Sequence, residues 1–143
     1  MIFREVLRPP IWVVAFIYFL FLSVVISVWA AFDNRATLIT LALSTIAVLW
    51  IAHAMKSEIT FDGHILRIDQ ANIEVQYLTN VRVLDKSEMR LLRTRDADPA
   101  AYLAIKFWEP QGVRIDLSDP RDKTPYWLIT SKRGEEIAAL LNR

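Results

Sequence analysis

The chain has 143 residues, 54% of them hydrophobic, and its mean hydropathy is positive, more apolar than an ordinary soluble domain of this length. Its formal charge is +1, and from Lys56 onward fourteen lysines and arginines face fourteen aspartates and glutamates, which argues against the basic footprint of a nucleic-acid binder. There is no cysteine, so disulfides, thiolate catalysis and thiolate metal ligation are all excluded.

In chain order, residues 1–10 read as a cytosolic N-terminal segment ending in Pro9-Pro10, a position where a missing N–H costs a helix nothing. Residues 11–32 carry no charge, and 22 residues at about 1.5 Å each span roughly 33 Å, enough for a hydrocarbon core. Residues 33–36 form an external turn, and residues 37–55 make a second span. In that span the hydroxyls of Thr40, Ser44 and Thr45 can bond back to their own helix or to a neighbouring one. A cleaved signal peptide is the competing reading of the first span, because Val28-Trp29-Ala30 fits a cleavage pattern. The length of the run and the second run directly behind it argue against cleavage.

Arg4 and Arg8 precede the first span, Arg35 stands alone in the turn, and Lys56 and Arg67 follow the second, so both termini are expected in the cytosol. Trp12 and Trp50 are then expected as anchors at the inner interface and Trp29 at the outer one. His53 is the one ionisable side chain within either run, and its place near the cytosolic end predicts an interfacial histidine.

Residues 56–143 change from helical period to alternation, the signal for strands. Ile59 and Phe61, an Asp62-Gly63 turn, and Ile65, Leu66 and Ile68 predict a hairpin. Further strands are expected at residues 73–77, 81–84, 102–108, 113–117 and 126–130, with a short helix at 86–93. A C-terminal helix at 133–142 carries Ile137, Leu140 and Leu141 on one stripe, with Ser131 as cap. The expected fold is therefore a membrane α-helical hairpin followed by an α+β, mostly antiparallel domain. Seven strands and a closing helix follow the element order of a pleckstrin-homology-like barrel.

The Arg8-Pro9-Pro10 stretch, the segment from Asp98 to Leu103, and Asp119-Pro120, Thr124-Pro125-Tyr126-Trp127-Leu128-Ile129 and Ser131-Lys132-Arg133 together resemble a family. Its members are small actinobacterial membrane proteins catalogued only as a domain of unknown function. The resemblance covers nearly the whole chain and implies two spans and a cytosolic domain, but no activity. Gly134 departs from it, standing where proline is expected to start the last helix.

For function, Lys86, Arg90 and Arg93 fall on one helix face, with Arg95 just beyond, a basic stripe suited to anionic lipid headgroups at about 1 kcal/mol per charge. Tyr126 and Trp127 beside two prolines offer an aromatic surface for an extended peptide, although alternation sends one of the two into the core. Asp96, Asp98, Asp116, Asp119 and Asp122 match no metal-loop spacing and read as turn caps. His64, the one histidine after Lys56, has no serine or carboxylate placed beside it by sequence, and no glycine loop for phosphate is present. The expectation is a membrane-anchored, non-enzymatic binding or scaffolding module with no cofactor or metal. Its partners would be the bilayer, a protein and anionic headgroups. An accessory subunit of a larger membrane complex, with the spans as its interface, is the alternative, followed by a hydrolytic or metal-dependent enzyme.

Overall fold

The computed structural model describes residues 2–142; Met1 and Arg143, the ends of the expected N-terminal segment and domain, lie outside them. It divides into two compact units. One is a helical pair. The other is a β-rich domain assembled from both sides of that pair in sequence.

The helical pair consists of α1 (Ile11–Ala31) and α2 (Asn34–Ala54). Both helices are long and apolar enough to cross a membrane. The connection is shorter than the expected four-residue turn. The Asp33 carboxylate accepts the Ala36 N–H at 2.9 Å, so Asn34, Arg35 and Ala36 wind into the first turn of α2 instead of staying outside it. Val13 and Val25 of α1 are buried, as are Ser44 and Val48 of α2. Tyr18 Oη lies 3.3 Å from Thr45 Oγ1 across the pair. Thr40 and Thr45 also donate back to Ala36 O and Leu41 O, which satisfies hydroxyls that would be costly to expose in a lipid phase. Most of the remaining apolar side chains point outward, Phe16, Phe19, Leu43 and Leu49 among them.

The domain opens with a strand where the sequence predicts only a plain N-terminal segment. β1 (Phe3–Leu7) alternates buried Phe3, Glu5 and Leu7 with exposed Arg4 and Val6, and it lies beside β2 (Ser57–Phe61) in the first sheet. β3 (Ile65–Ile68) and β4 (Ala71–Glu74) complete that sheet in the order β1-β2-β3-β4. The expected hairpin is present, with Phe61 opposite Leu66. Gly63 adopts φ 105° in its turn, a conformation that favours glycine, and the Asp62 carboxylate accepts the His64 and Ile65 N–H groups. The strand expected at 73–77 ends at Glu74, because Val75–Tyr77 tightens into a 3-10 turn.

The second sheet has the order β5-β7-β8-β6, built from β5 (Leu78–Leu84), β6 (Tyr102–Ala104), β7 (Gly112–Leu117) and β8 (Tyr126–Thr130). β6 pairs parallel with β8, and the other pairs of this sheet are antiparallel. The strand expected over 102–108 stops at Ala104 for a local reason. The Thr130 hydroxyl takes the Lys106 N–H at 3.1 Å, and the Glu109 N–H turns back onto Lys106 O, so the ladder cannot continue. In place of the expected barrel of about seven strands, the described residues form eight strands in two sheets, with no closed barrel.

α3 (Lys86–Arg93) follows β5, and α4 (Gly134–Leu141) closes the domain. Phe3, Ile59, Phe61, Leu66 and Ile68 of the first sheet share one core with Val113, Ile115, Trp127 and Ile129 of the second and with Ile137 and Leu141 of α4. On the other face of the second sheet, Leu84, Tyr126 and Leu128 pack with Met89 and Leu92 of α3. β8 is thus covered on both faces, which explains why Tyr-Trp-Leu-Ile runs without polar alternation. Gly134 starts α4 because a Cβ there would lie 2.9 Å from Val113 Cγ2. The contact demands a small residue.

Candidate functional site

Tyr126 and Trp127, expected to offer an aromatic surface to a peptide, are 4% and 5% exposed. They face opposite cores of β8. Trp127 stacks at a tilt on Tyr102, with ring centroids 5.1 Å apart, and the Arg114 guanidinium covers the Tyr126 ring at 4.1 Å. Both rings are engaged in packing.

The basic residues divide differently. α3 is fixed by a reciprocal cap in which the Asp85 carboxylate accepts the Ser87 and Glu88 N–H groups and the Glu88 carboxylate accepts the Asp85 N–H. These bonds hold the Asp85 carboxyl below its usual pKa, the Glu88 amide contributing most. Met89 and Leu92 anchor the helix to the sheet, which leaves Lys86, Arg90 and Arg93 together along a groove of about 650 Å³. Arg95 is not part of this set, because its guanidinium forks onto the neighbouring Asp96 at 3.0 and 3.3 Å.

Arg93 is the most enclosed of the three cations. One guanidinium N–H donates to Glu109 O at 3.1 Å, while Nε is buried without a hydrogen-bond partner. Burial lowers the pKa of the group, and no carboxylate lies within ion-pair distance of it among the described residues. Phe107, at 64% exposure, lines the same groove together with Pro110, and its ring meets Trp108 edge-on at 5.0 Å. The sequence reading did not single out Phe107, since it placed that residue inside a strand. The non-alternating Phe107-Trp108 pair before Glu109-Pro110 was the available signal.

The aspartates are occupied locally. Asp119 accepts a forked pair of bonds from Arg121 and the Arg121 N–H, Asp122 caps Thr124, Asp98 caps Ala100 and Asp116 pairs with Arg114 at 2.8 Å. Among the described residues no group of three or more potential ligands could hold a metal ion. His64 is exposed beside the β2–β3 turn, and His53 Nδ1 lies 3.1 Å from Lys56 Nζ. Trp12, Trp29 and Trp50 are all exposed on the helical pair.

A second polar cluster escaped the sequence reading altogether. Glu5 of β1 is 7% exposed; its carboxylate accepts the Ser131 hydroxyl at 2.5 Å and the Lys132 N–H at 2.9 Å. Arg133 donates to Arg4 O and lies over the Phe3 ring. Ser131, expected as a helix cap, therefore serves mainly to seat β1, and the Ser131-Lys132-Arg133 stretch becomes a receptor for the N-terminal strand.

No curated protein and no solved structure matches the chain significantly. The family model described as "Protein of unknown function (DUF3093)" matches residues 2–141, so that both the strand before the helical pair and the closing helix after it fall within the match, and the chain belongs to that family.

Proposed function

We propose that this protein is a membrane-anchored, non-enzymatic binding module whose domain is held at the inner leaflet by a two-span hairpin. The carrying observation is that the helical pair is inserted between β1 and β2, which are neighbours in one sheet. A hairpin that leaves and re-enters the same sheet supports placing both of its ends on one side of the bilayer. The distribution of Arg4, Arg8 and Lys56 against Arg35 then favours the cytosol for that side. Only Met55 and Lys56 separate α2 from β2, a join of about 7 Å when extended, so the domain is tethered close to the membrane at two points.

The domain architecture supports a pleckstrin-homology-like reading in outline. A four-stranded meander is followed by a second sheet and a closing helix that joins the shared core. The parallel strand β6 and helix α3 are additions to that outline, and α3 carries the groove described above. Recognition by such a module would rest on a presented surface rather than on an enclosed site.

A second reading, an accessory subunit of a larger membrane complex, draws on a different observation. The expected contact residues Ser44 and Thr45 are used inside the helical pair, but Ser23 and Ser27 stand on an exposed face of α1, each bonded to its own helix. Such a face suits packing against another span.

The absence of native cysteine makes the topology test clean. Arg35→Cys should react with a membrane-impermeant maleimide in intact cells, and Lys123→Cys only after permeabilisation. Labelling of Lys123→Cys in intact cells would overturn the orientation, and release of the protein by alkaline carbonate would overturn the anchor. Crosslinking of the full-length protein in its native membrane, read by mass spectrometry, then separates the readings. Partners linked through residues 57–142 favour the binding module, and partners linked through 11–54 favour the accessory subunit.

A further inference from the structure

We infer that the groove between α3 and the Phe107–Pro110 segment binds the phosphate of an anionic phospholipid headgroup, with Lys86, Arg90 and Arg93 as its cationic wall. This deepens the binding-module reading and rests on it.

Three observations converge on an anion. Lys86 and Arg90 are exposed and form no ion pair among the described residues. Arg93 sits deeper, donates to the neutral Glu109 carbonyl, and has no counter-charge within ion-pair distance among the described residues. A half-buried cation without a counter-ion is costly, and an incoming anion relieves that cost. The one carboxylate in the groove lining close to this wall, Asp85, is already committed to two backbone amides and the Ser87 hydroxyl.

The opposite wall distinguishes between anions. Phe107 and Pro110 place apolar surface within the same groove as the three cations, and that combination matches an amphiphile, whose glycerol and acyl carbons adjoin its phosphate. Free phosphate has no use for the aromatic wall. The source is also at hand, because a domain joined to an apolar helix through two residues meets headgroups at high effective concentration.

The full-length, isotope-labelled protein in a neutral maltoside detergent can be titrated with dihexanoyl phosphatidylglycerol, dihexanoyl phosphatidylcholine, inorganic phosphate and a polyglutamate peptide. Backbone amide shifts of residues 86–94 and 107–111 are the readout. Phosphatidylglycerol should give saturable shifts confined to those residues, at least tenfold tighter than the other three ligands. The double variant Lys86→Gln/Arg90→Gln, altered only at exposed positions, should weaken binding by about 25-fold, or fivefold per charge at ~1 kcal/mol each. Phe107→Ser should weaken phosphatidylglycerol binding and leave binding of inorganic phosphate unchanged.

Equal shifts with phosphatidylcholine would mean simple partitioning, and equal or tighter binding of inorganic phosphate would mean a free-anion site. Tighter binding of the acidic peptide would assign the groove to a protein partner. Any of these, or an unchanged affinity in the double variant, overturns the proposal. Failure here leaves the cysteine-labelling result untouched, so loss of the lipid site and loss of the membrane anchor are separable.

Discussion

The helical pair and the β-rich domain solve the burial problem in opposite directions. α1 and α2 satisfy their backbone groups internally and turn Phe16, Phe19, Leu43 and Leu49 outward, so their stability depends on an apolar surrounding rather than on a core of their own. The domain gathers Leu66, Val113, Ile115 and Ile129 into an interior at or below 1% exposure. It also recruits a strand from more than fifty residues upstream. One region is specified by neighbours in sequence, the other by contacts that close over the whole chain. The first is built from contacts within one helical hairpin, while the second is completed by contacts of high sequence separation, such as those of Glu5 with Ser131 and Lys132.

The sharpest way to break this contrast is to remove β1. Residues 57–142 alone should lose about 3–6 kcal/mol, from the burial of Phe3 and from the partners of Glu5. Joining residues 2–7 to residue 57 through a short flexible linker should restore a cooperative thermal transition. A stable, cooperative 57–142 fragment would show that the domain is as locally specified as the hairpin. Next in size, Leu128→Ala opens a void at a site with 0% exposure and should cost about 2–5 kcal/mol in denaturant unfolding.

Glu5→Ala leaves the Ser131 hydroxyl and the Lys132 N–H without their acceptor and should cost about 1–3 kcal/mol. Its counterpart in the hairpin, Tyr18→Phe, removes the Thr45 contact and should cost only about 0.6 kcal/mol. A larger loss at Tyr18 than at Glu5, read from thermal transitions in the same detergent, would reverse the comparison. The mildest change expected is with pH. Asp62 and Asp85 have pKa values lowered mainly by backbone N–H groups. Their stabilisation is therefore complete above the unfolded carboxylate pKa of about 3.9 and fades as pH falls through the lower folded values. The melting temperature should hold from neutral pH to about pH 4 and then decline, with Asp85→Asn flattening part of that decline.

Much of this protein was legible before any tertiary contact was known. Two uncharged runs of helical length dictate two helices, because nothing else satisfies so many backbone groups in so apolar a stretch. Strand alternation at Ile59, Phe61, Leu66 and Ile68 sets the first hairpin, and the basic stripe of α3 follows from helical spacing alone. Three decisions belonged to the tertiary structure. Five residues, Phe3–Leu7, were too few and too remote from β2 to read as a strand until a partner edge and the donors to Glu5, the Ser131 hydroxyl and the Lys132 N–H, were in place. Tyr126 and Trp127 were both drawn inside because sheet and helix cover β8 on its two faces. Arg93, already legible as part of the basic stripe, became its enclosed member only when Glu109 O, sixteen positions away, took its N–H and Phe107, fourteen away, came to line the same groove. Local pattern determines which way a side chain points along its own element; what it points at is decided by segments that meet only when the chain closes.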